Sequence, residues 1–195
     1  MNSREILRWL AAAAASTVLV TVTAGCGADT GGAAGSGGTG ADGALPEGWG
    51  TLRTSALTVA HPPGFTPQSA TERSKYNAAA ATLSEGGKDV GMITVQLDFT
   101  DADSAEEAAI GAEAGIALGS TLGKQSEIEV AGPGGKKTEA RRVDFEFTER
   151  GSRVKGVIVA GVDTAKKTYA VRIDAVKGKL GDGDLRRILD SLTLK

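Results

Sequence analysis

Strict alternation of apolar and polar residues is the feature that most constrains the fold of this chain. In residues 92–99 the apolar side chains Ile93, Val95 and Leu97 alternate with polar ones, and residues 137–148 and 168–176 repeat the pattern. Successive side chains of a β-strand point to opposite faces, so this period predicts strands with one buried face. An all-helical fold is therefore excluded.

Further strands are predicted on both sides of these runs. Residues 51–55 and 57–61 form a short hairpin or two successive strands, and Phe65, after the Pro62-Pro63-Gly64 turn, is expected to fill the core edge. Residues 78–83 are predicted to pair with 92–99 through a loop at 85–89. Residues 127–131 lead into a glycine-rich turn at 132–135, and residues 154–162, apolar on both faces, are expected at the sheet centre.

Two helices are predicted to accompany the sheet. Ser104 followed by Glu107 forms a capping box. Beyond it, apolar residues recur every four positions and predict a helix of about five turns; these are Ile110, Ala114, Leu118 and Leu122. The glycines at 111, 115 and 119 favour close packing of this helix on the sheet over pairing within a membrane.

The second predicted helix is short and lies at the C-terminus. It begins at Asp182 or Asp184 and runs through Leu192, with Leu185, Ile188, Leu189 and Leu192 facing inward.

The first 26 residues are typical of an exported, lipidated protein. Residues 1–8 are positively charged, and the 16 residues from Trp9 to Ala24 carry no formal charge. This run is short for a spanning helix and fits a signal peptide over residues 1–25. Thr23-Ala24-Gly25-Cys26 resembles the lipobox of bacterial lipoproteins, which implies cleavage between Gly25 and Cys26 and a diacylglyceryl group on the Cys26 thiol.

The alternative for Cys26 is an ordinary secretory signal that contains a thiol. Cys26 is the only cysteine of the chain, and a free thiol is unfavourable in an oxidising compartment. We therefore expect a protein anchored to the cell membrane through acyl chains on Cys26, on the extracytoplasmic face.

A glycine-rich segment follows the cysteine. Residues 27–44 contain eight Gly and five Ala, and no side chain larger than that of Asp. Such a segment has nothing to bury, so it predicts a disordered tether. The expected organisation is a signal peptide at 1–25, the lipidated cysteine and linker at 26–48, and one folded domain at 49–195.

Charge and composition narrow the chemistry of that domain. Residues 49–195 hold 20 basic and 20 acidic residues, and this balance argues against nucleic acid as a partner. His61 is the only histidine and thus the only ordinary base near neutral pH. Its place at a strand end beside Pro62 favours a solvent-facing, non-catalytic residue. We expect no catalytic residue and no cofactor.

Two further patterns each allow a functional and a structural interpretation. Asp182-Gly183-Asp184 could suggest a calcium site, but an EF-hand loop that begins at Asp182 needs Glu at position twelve, which is Thr193. The start of a helix with acidic residues is therefore favoured, and no metal site is expected. Four basic doublets, at 136–137, 141–142, 166–167 and 186–187, could form a patch for anionic lipid or an acidic partner. Solvated strand edges and turns are the favoured interpretation.

The order of these elements resembles a known family. The segments Leu-Thr-Val-Ala-His-Pro-Pro-Gly-Phe at 57–65 and Leu-Arg-Arg-Ile-Leu-Asp-Ser-Leu at 185–192 are similar to the PsbP-like α/β/α sandwich, in particular to LpqN-type lipoproteins of actinobacteria. The expected fold class is therefore α+β, with a mostly antiparallel sheet and one long and one short C-terminal helix packed on it. The resemblance implies a non-catalytic accessory or protein-binding module.

Three functions follow as hypotheses. The leading one is a lipid-anchored envelope protein that binds a protein partner; the alternatives are a carrier of a hydrophobic small molecule or lipid held between helices and sheet, and a hydrolase. The ligand-binding residues and the oligomeric state are open at this point. A dry apolar pocket would favour the carrier, and a filled core with an exposed apolar patch the binding module.

Overall fold

The computed structural model describes residues 45–195, in which strands account for 48% and helices for 14% of the residues. The strands are β1 (Gly50–Arg53), β2 (Leu57–His61), β3 (Phe65–Pro67), β4 (Ala79–Glu85), β5 (Lys88–Leu97), β6 (Thr121–Leu122), β7 (Ser126–Ala131), β8 (Lys137–Glu149), β9 (Ser152–Val162), β10 (Thr168–Val176) and β11 (Thr193–Leu194). The helices are α1 (Ala105–Glu113), α2 (Asp182–Asp190) and a 3₁₀ turn at Pro133–Gly135.

All eleven strands belong to one strongly curved sheet. Its order is β1-β2-β11-β7-β8-β9-β10-β5-β4-β3, with β6 paired to β8 beside this path. Neighbouring strands are antiparallel except β11 and β7, which pair in parallel. The sheet curls until β1 approaches β4, so that it nearly closes. Its concave face encloses the main core, and its outer face carries α1.

The expected α/β/α sandwich with a long helix is wrong. The structure is mostly β, and α1 has nine residues, about two and a half turns. Its buried residues are Ala105, Ala108, Ala109 and Ala112, spaced as one helix face requires. The predicted stripe of larger residues is exposed: Ile110 is 57% exposed and Leu118 fully so. Residues spaced strictly by four drift about 40° per step around a helix, so they do not stay on one face.

The predictions of individual strands and of the α1 N-cap hold better than the prediction of the fold class. Ser104 caps α1, and its hydroxyl accepts a hydrogen bond from the Glu107 backbone N–H. The strands at 57–61, 78–83, 127–131, 154–162 and 168–176 are present with small shifts of boundary, and Phe65 is buried as expected. The short strands β3, β6 and β11 were not predicted, because two or three residues show no period.

The concave core is filled by side chains from most strands and from α2. Ile93, Val159 and Tyr169 are fully buried at its centre, and Ile188 of α2 and Leu192 join them. The inward residues of α2 thus match the sequence prediction. The two clefts described below open to solvent.

Strand β8 uses its two faces in an unexpected way. Its apolar residues Val143 and Phe145 pack on the outer face, beneath α1, in a second core with Ile158 and Ala170. The alternating charged residues therefore lie on the concave face, paired in register with Val157, Val159 and Lys155 of β9. This places charge at one end of the enclosed space.

Three aromatic rings of the sheet lie over glycines of a neighbouring strand. Gly50, Gly156 and Gly161 stand directly opposite His61, Phe145 and Tyr169 on neighbouring strands. In each pair the ring occupies the space that a Cβ would need, with atoms 2.2 to 2.8 Å from that position. The missing side chains let the rings lie flat against the backbone of the next strand.

Candidate functional site

A cleft of about 400 Å³ opens at one end of the concave face, between the sheet and the start of α2. We call it the mouth cleft. Its floor is apolar and is formed by Val157, Ile173 and Ala175 of β9 and β10, with Leu180 just before α2 and Leu185 within it. All of these side chains except Ala175 also belong to, or pack against, the concave core. A cleft of this size with an apolar floor is typical of a small-ligand or side-chain binding site.

The rim of the mouth cleft carries charges that neutralise one another. Arg142 binds Asp144 at 2.7 Å, and Glu146 lies 3.6 Å from Lys155. Glu146 also accepts a hydrogen bond from Arg153, which lowers the pKa of the Glu146 carboxyl. The rim is therefore polar without a strong excess of either charge.

An exposed leucine stands at the entrance of this cleft. β6 places Leu122 opposite Phe145 of β8, and the Gly123 N–H donates to the Asp144 carbonyl at 2.6 Å. A Cβ on Gly123 would lie 3.0 Å from that carbonyl, so glycine permits the close approach. Leu122 is 45% exposed and lines the cleft.

A second cleft, of about 320 Å³, lies on the outer face beside the C-terminal end of α1. We call it the outer cleft. Arg172 of β10 lies in it with its guanidinium 5.0 Å from the centre of the Phe145 ring, and it binds Asp174 at 2.5 Å. Arg172 also donates to the Gly115 carbonyl at 3.0 Å, which supplies a cation where α1 has none of its own in its last turn.

Asp174 is the one carboxyl of the described chain whose pKa is resolved as raised. Burial raises its pKa above the ordinary value, and this effect outweighs the opposing effect of Arg172. Neither Arg172 nor Asp174 was singled out from the sequence. The i, i+2 spacing on one strand face is the only signal that could have found them.

The predicted lipidation and cleavage residues, Cys26 and Gly25, lie outside the described residues 45–195, as do the signal peptide and most of the linker. No helix in the described part of the chain is both long enough and apolar enough to cross a membrane.

His61 does not face solvent as expected. It is 5% exposed, its ring covers Gly50 and lies near Phe65, and Nδ1 is 3.2 Å from the Pro62 carbonyl oxygen. Nε2 is buried and has no hydrogen-bond partner among the described residues. His61 lines neither cleft, so its position is that of a core residue.

Asp182 and Asp184 lie in the first turn of α2, where carboxylates favour the helix dipole. The N-cap itself is Gly181 rather than either aspartate. Within residues 45–195 no group of three or more His, Cys, Asp or Glu could hold a metal ion.

Each basic doublet contributes to an ion pair with a nearby carboxylate. Lys137 binds Glu129, Lys167 binds Asp98, and Arg187 binds Asp184. Arg141 contacts both Glu127 and Glu139. These pairings favour solvated edges and turns over one basic patch.

Comparison with known proteins leaves the family of this chain open. No family model and no curated protein matches the sequence. Among solved structures 16 chains match. One, a 1.50 Å crystal structure from Bacteroides thetaiotaomicron VPI-5482, is 10% identical with a TM-score of 0.42, over 71% of this chain and 45% of that chain. This chain thus spans less than half of that protein's length, and a likeness of this degree carries no argument.

Proposed function

We propose that this chain is a lipid-anchored, extracytoplasmic protein that binds a protein partner at the cell envelope without catalysing a reaction. The lipobox-like residues before Cys26 support the anchor, as does the resemblance of the leader to those of LpqN-type lipoproteins. The sandwich fold that accompanied this resemblance is not part of the proposal.

The observation that carries the binding function is the mouth cleft. Its apolar floor and neutralised rim suit an apolar side chain offered by a partner, since a charged group would gain little from already paired charges. The filled concave core limits how deeply a ligand could enter.

A second candidate, a carrier of a small amphiphilic molecule, is favoured by the volume of the same cleft. About 400 Å³ lies within the usual range for small-molecule sites, roughly 300–1,000 Å³. Its mixed lining fits a molecule with both apolar and polar parts better than a wholly hydrophobic one.

Photo-crosslinking from intact cells tests both candidates. A photoreactive amino acid replaces Leu122, which lines the mouth cleft; the matched control replaces Leu118, which is fully exposed but lies outside it. We expect a specific adduct only from position 122, and mass spectrometry then identifies a protein or a small molecule. Equal labelling from both positions, or none from position 122, contradicts the proposal.

The anchor has its own test. Cys26→Ser removes the thiol that acylation needs, so we expect the protein to move from the detergent phase to the aqueous phase or to remain unprocessed. Mass spectrometry of the N-terminal peptide gives the direct measurement. A wild-type peptide that begins elsewhere and carries no acyl group would contradict the anchor.

A further inference from the structure

The outer cleft is lined by polar side chains that form no hydrogen bond within the described residues. Thr94 and Gln96 stand two residues apart on the outer face of β5, so their Cα atoms are roughly 7 Å apart along the strand. Asn77 is held beside them, because the next residue, Ala78, donates its N–H to the Val95 carbonyl at 2.7 Å. Within residues 45–195 no hydrogen bond engages the side chains of these three residues. They form one row of available donors and acceptors.

The charges of the outer cleft disfavour a charged ligand. The carboxylates of Asp174 and Glu149 would repel an anionic ligand, and the guanidinium of Arg172 would repel a cationic one. The Arg172 guanidinium is fixed by Asp174, by the Gly115 carbonyl and by the Phe145 ring, so it cannot turn away from a bound cation. A neutral ligand meets neither repulsion.

The remaining walls define the shape of that ligand. Phe147 closes one side with an apolar ring, and it lies nearly parallel to Phe145 at 6.0 Å, so the two rings support each other. The available hydroxyl and amide groups and the Phe147 ring therefore line one cleft of about 320 Å³, with the Arg172–Asp174 pair of β10 between them and the Arg172 guanidinium 5.8 Å from the centre of the Phe147 ring. Sugar rings match this combination, because they present hydroxyls at their edges and C–H groups on their faces.

We propose that the outer cleft binds a neutral, polyhydroxylated ligand, a hexose unit by its chemistry, through Thr94, Gln96 and Asn77 against the Phe147 wall. This site lies on the opposite face of the sheet from the mouth cleft. The proposal does not depend on the anchor or on the protein partner.

Calorimetric titration of the full chain with matched sugars tests this inference. The protein is purified in a detergent without a sugar headgroup, and the probes are glucose, galactose and mannose, with glucuronate and glucosamine as charged analogues at slightly acidic pH. We expect saturable binding of at least one neutral hexose and binding at least about tenfold weaker for both charged analogues.

A pair of threonines provides the matched variants. Thr94→Val removes a hydroxyl that lines the cleft, and we expect about tenfold weaker hexose binding because one hydrogen bond is lost. Thr82→Val is the control: Thr82 is also 8% exposed, but its hydroxyl accepts from Gln68 and does not line the cleft. Melting temperatures establish that both variants fold.

Three results would overturn the proposal. They are the absence of binding by all three neutral hexoses, tighter binding of a charged analogue than of its neutral parent, and equal weakening by Thr94→Val and Thr82→Val. A crosslink at Leu122 would leave each of these outcomes unchanged, so the two clefts are tested separately.

Discussion

The ring of Phe145 lies over Gly156, and this contact gives the sharpest prediction of the structure. A Cβ added at Gly156 would stand 2.2 Å from Cζ and 2.7 Å from both Cε atoms of Phe145. Carbon atoms that are not bonded to each other do not approach this closely, so in Gly156→Ala either the ring or the strand must move.

The surroundings of Phe145 determine the cost of that movement. The ring is 2% exposed, Arg172 lies 5.0 Å from its centre on one side, and Phe147 is stacked at 6.0 Å on another. Overpacking of a closed site costs roughly 1–3 kcal/mol. At about 2–4 °C per kcal/mol for a domain of this size, we expect the melting temperature of Gly156→Ala to fall by roughly 2–12 °C.

Urea denaturation of wild type and variants measures the effect, with an unchanged m-value showing that only stability differs. Gly183→Ala is the control, because nothing lies within 4 Å of a Cβ there and α2 should gain up to about 1 kcal/mol from alanine. Phe145→Leu should make Gly156→Ala less costly, as a positive coupling in a double-mutant cycle. Unchanged stability of Gly156→Ala would refute the reasoning.

Three further predictions follow from the same structure. His61→Ala should lower the free energy of unfolding by about 1–3 kcal/mol, because the ring is buried. In Gly50→Ala the new Cβ would lie 2.4 Å from that ring, so this change should destabilise the wild type but not the His61→Ala variant. Urea denaturation measures both effects. Arg172→Met should cost about 2–4 kcal/mol in urea denaturation, since it leaves the Asp174 carboxylate, whose side chain is only 17% exposed, without its partner and frees the Gly115 carbonyl. Asp174→Asn in that background should recover part of the loss. Because burial raises the pKa of Asp174 above 3.8, the folded state binds a proton where the unfolded state has released it. The contribution of Asp174 to stability therefore falls as pH rises between 3.8 and the raised value, and a stability profile of Asp174→Asn should lack that fall.

Local sequence signals predicted most strands and both helix starts. Alternation over eight or more residues located β5, β8 and β10, because a strand with two different environments must alternate. Ser104 located the start of α1 through a contact only three residues away. These signals depend on neighbours in the sequence, so they do not require knowledge of the fold.

The predicted length of α1 was wrong, and the physical reason can be found in the sequence. Two candidate faces compete between residues 105 and 122, one of alanines and one of larger apolar residues. The alanine face is buried because small side chains allow the helix to approach β8 and β9 closely. Hydrophobicity alone favours Ile110 and Leu118, but close packing at this position selects for small volume.

The two clefts could not be predicted because each depends on which face of a strand meets which neighbour. Alternation in β8 shows that Arg142, Asp144 and Glu146 share a face, but not that this face is the concave one. Along that same face Ala140 belongs to the core, and the next inward residues are charged. Along this one strand the concave surface therefore changes from packed apolar side chains to charged side chains, and the mouth cleft lies where the change occurs. On β9 the same change comes further along, from Val157 to Lys155, so that the apolar Val159 and Val157 lie opposite the charged Arg142 and Asp144 of β8. The position of the cleft is therefore set by strand pairing, which no single segment encodes.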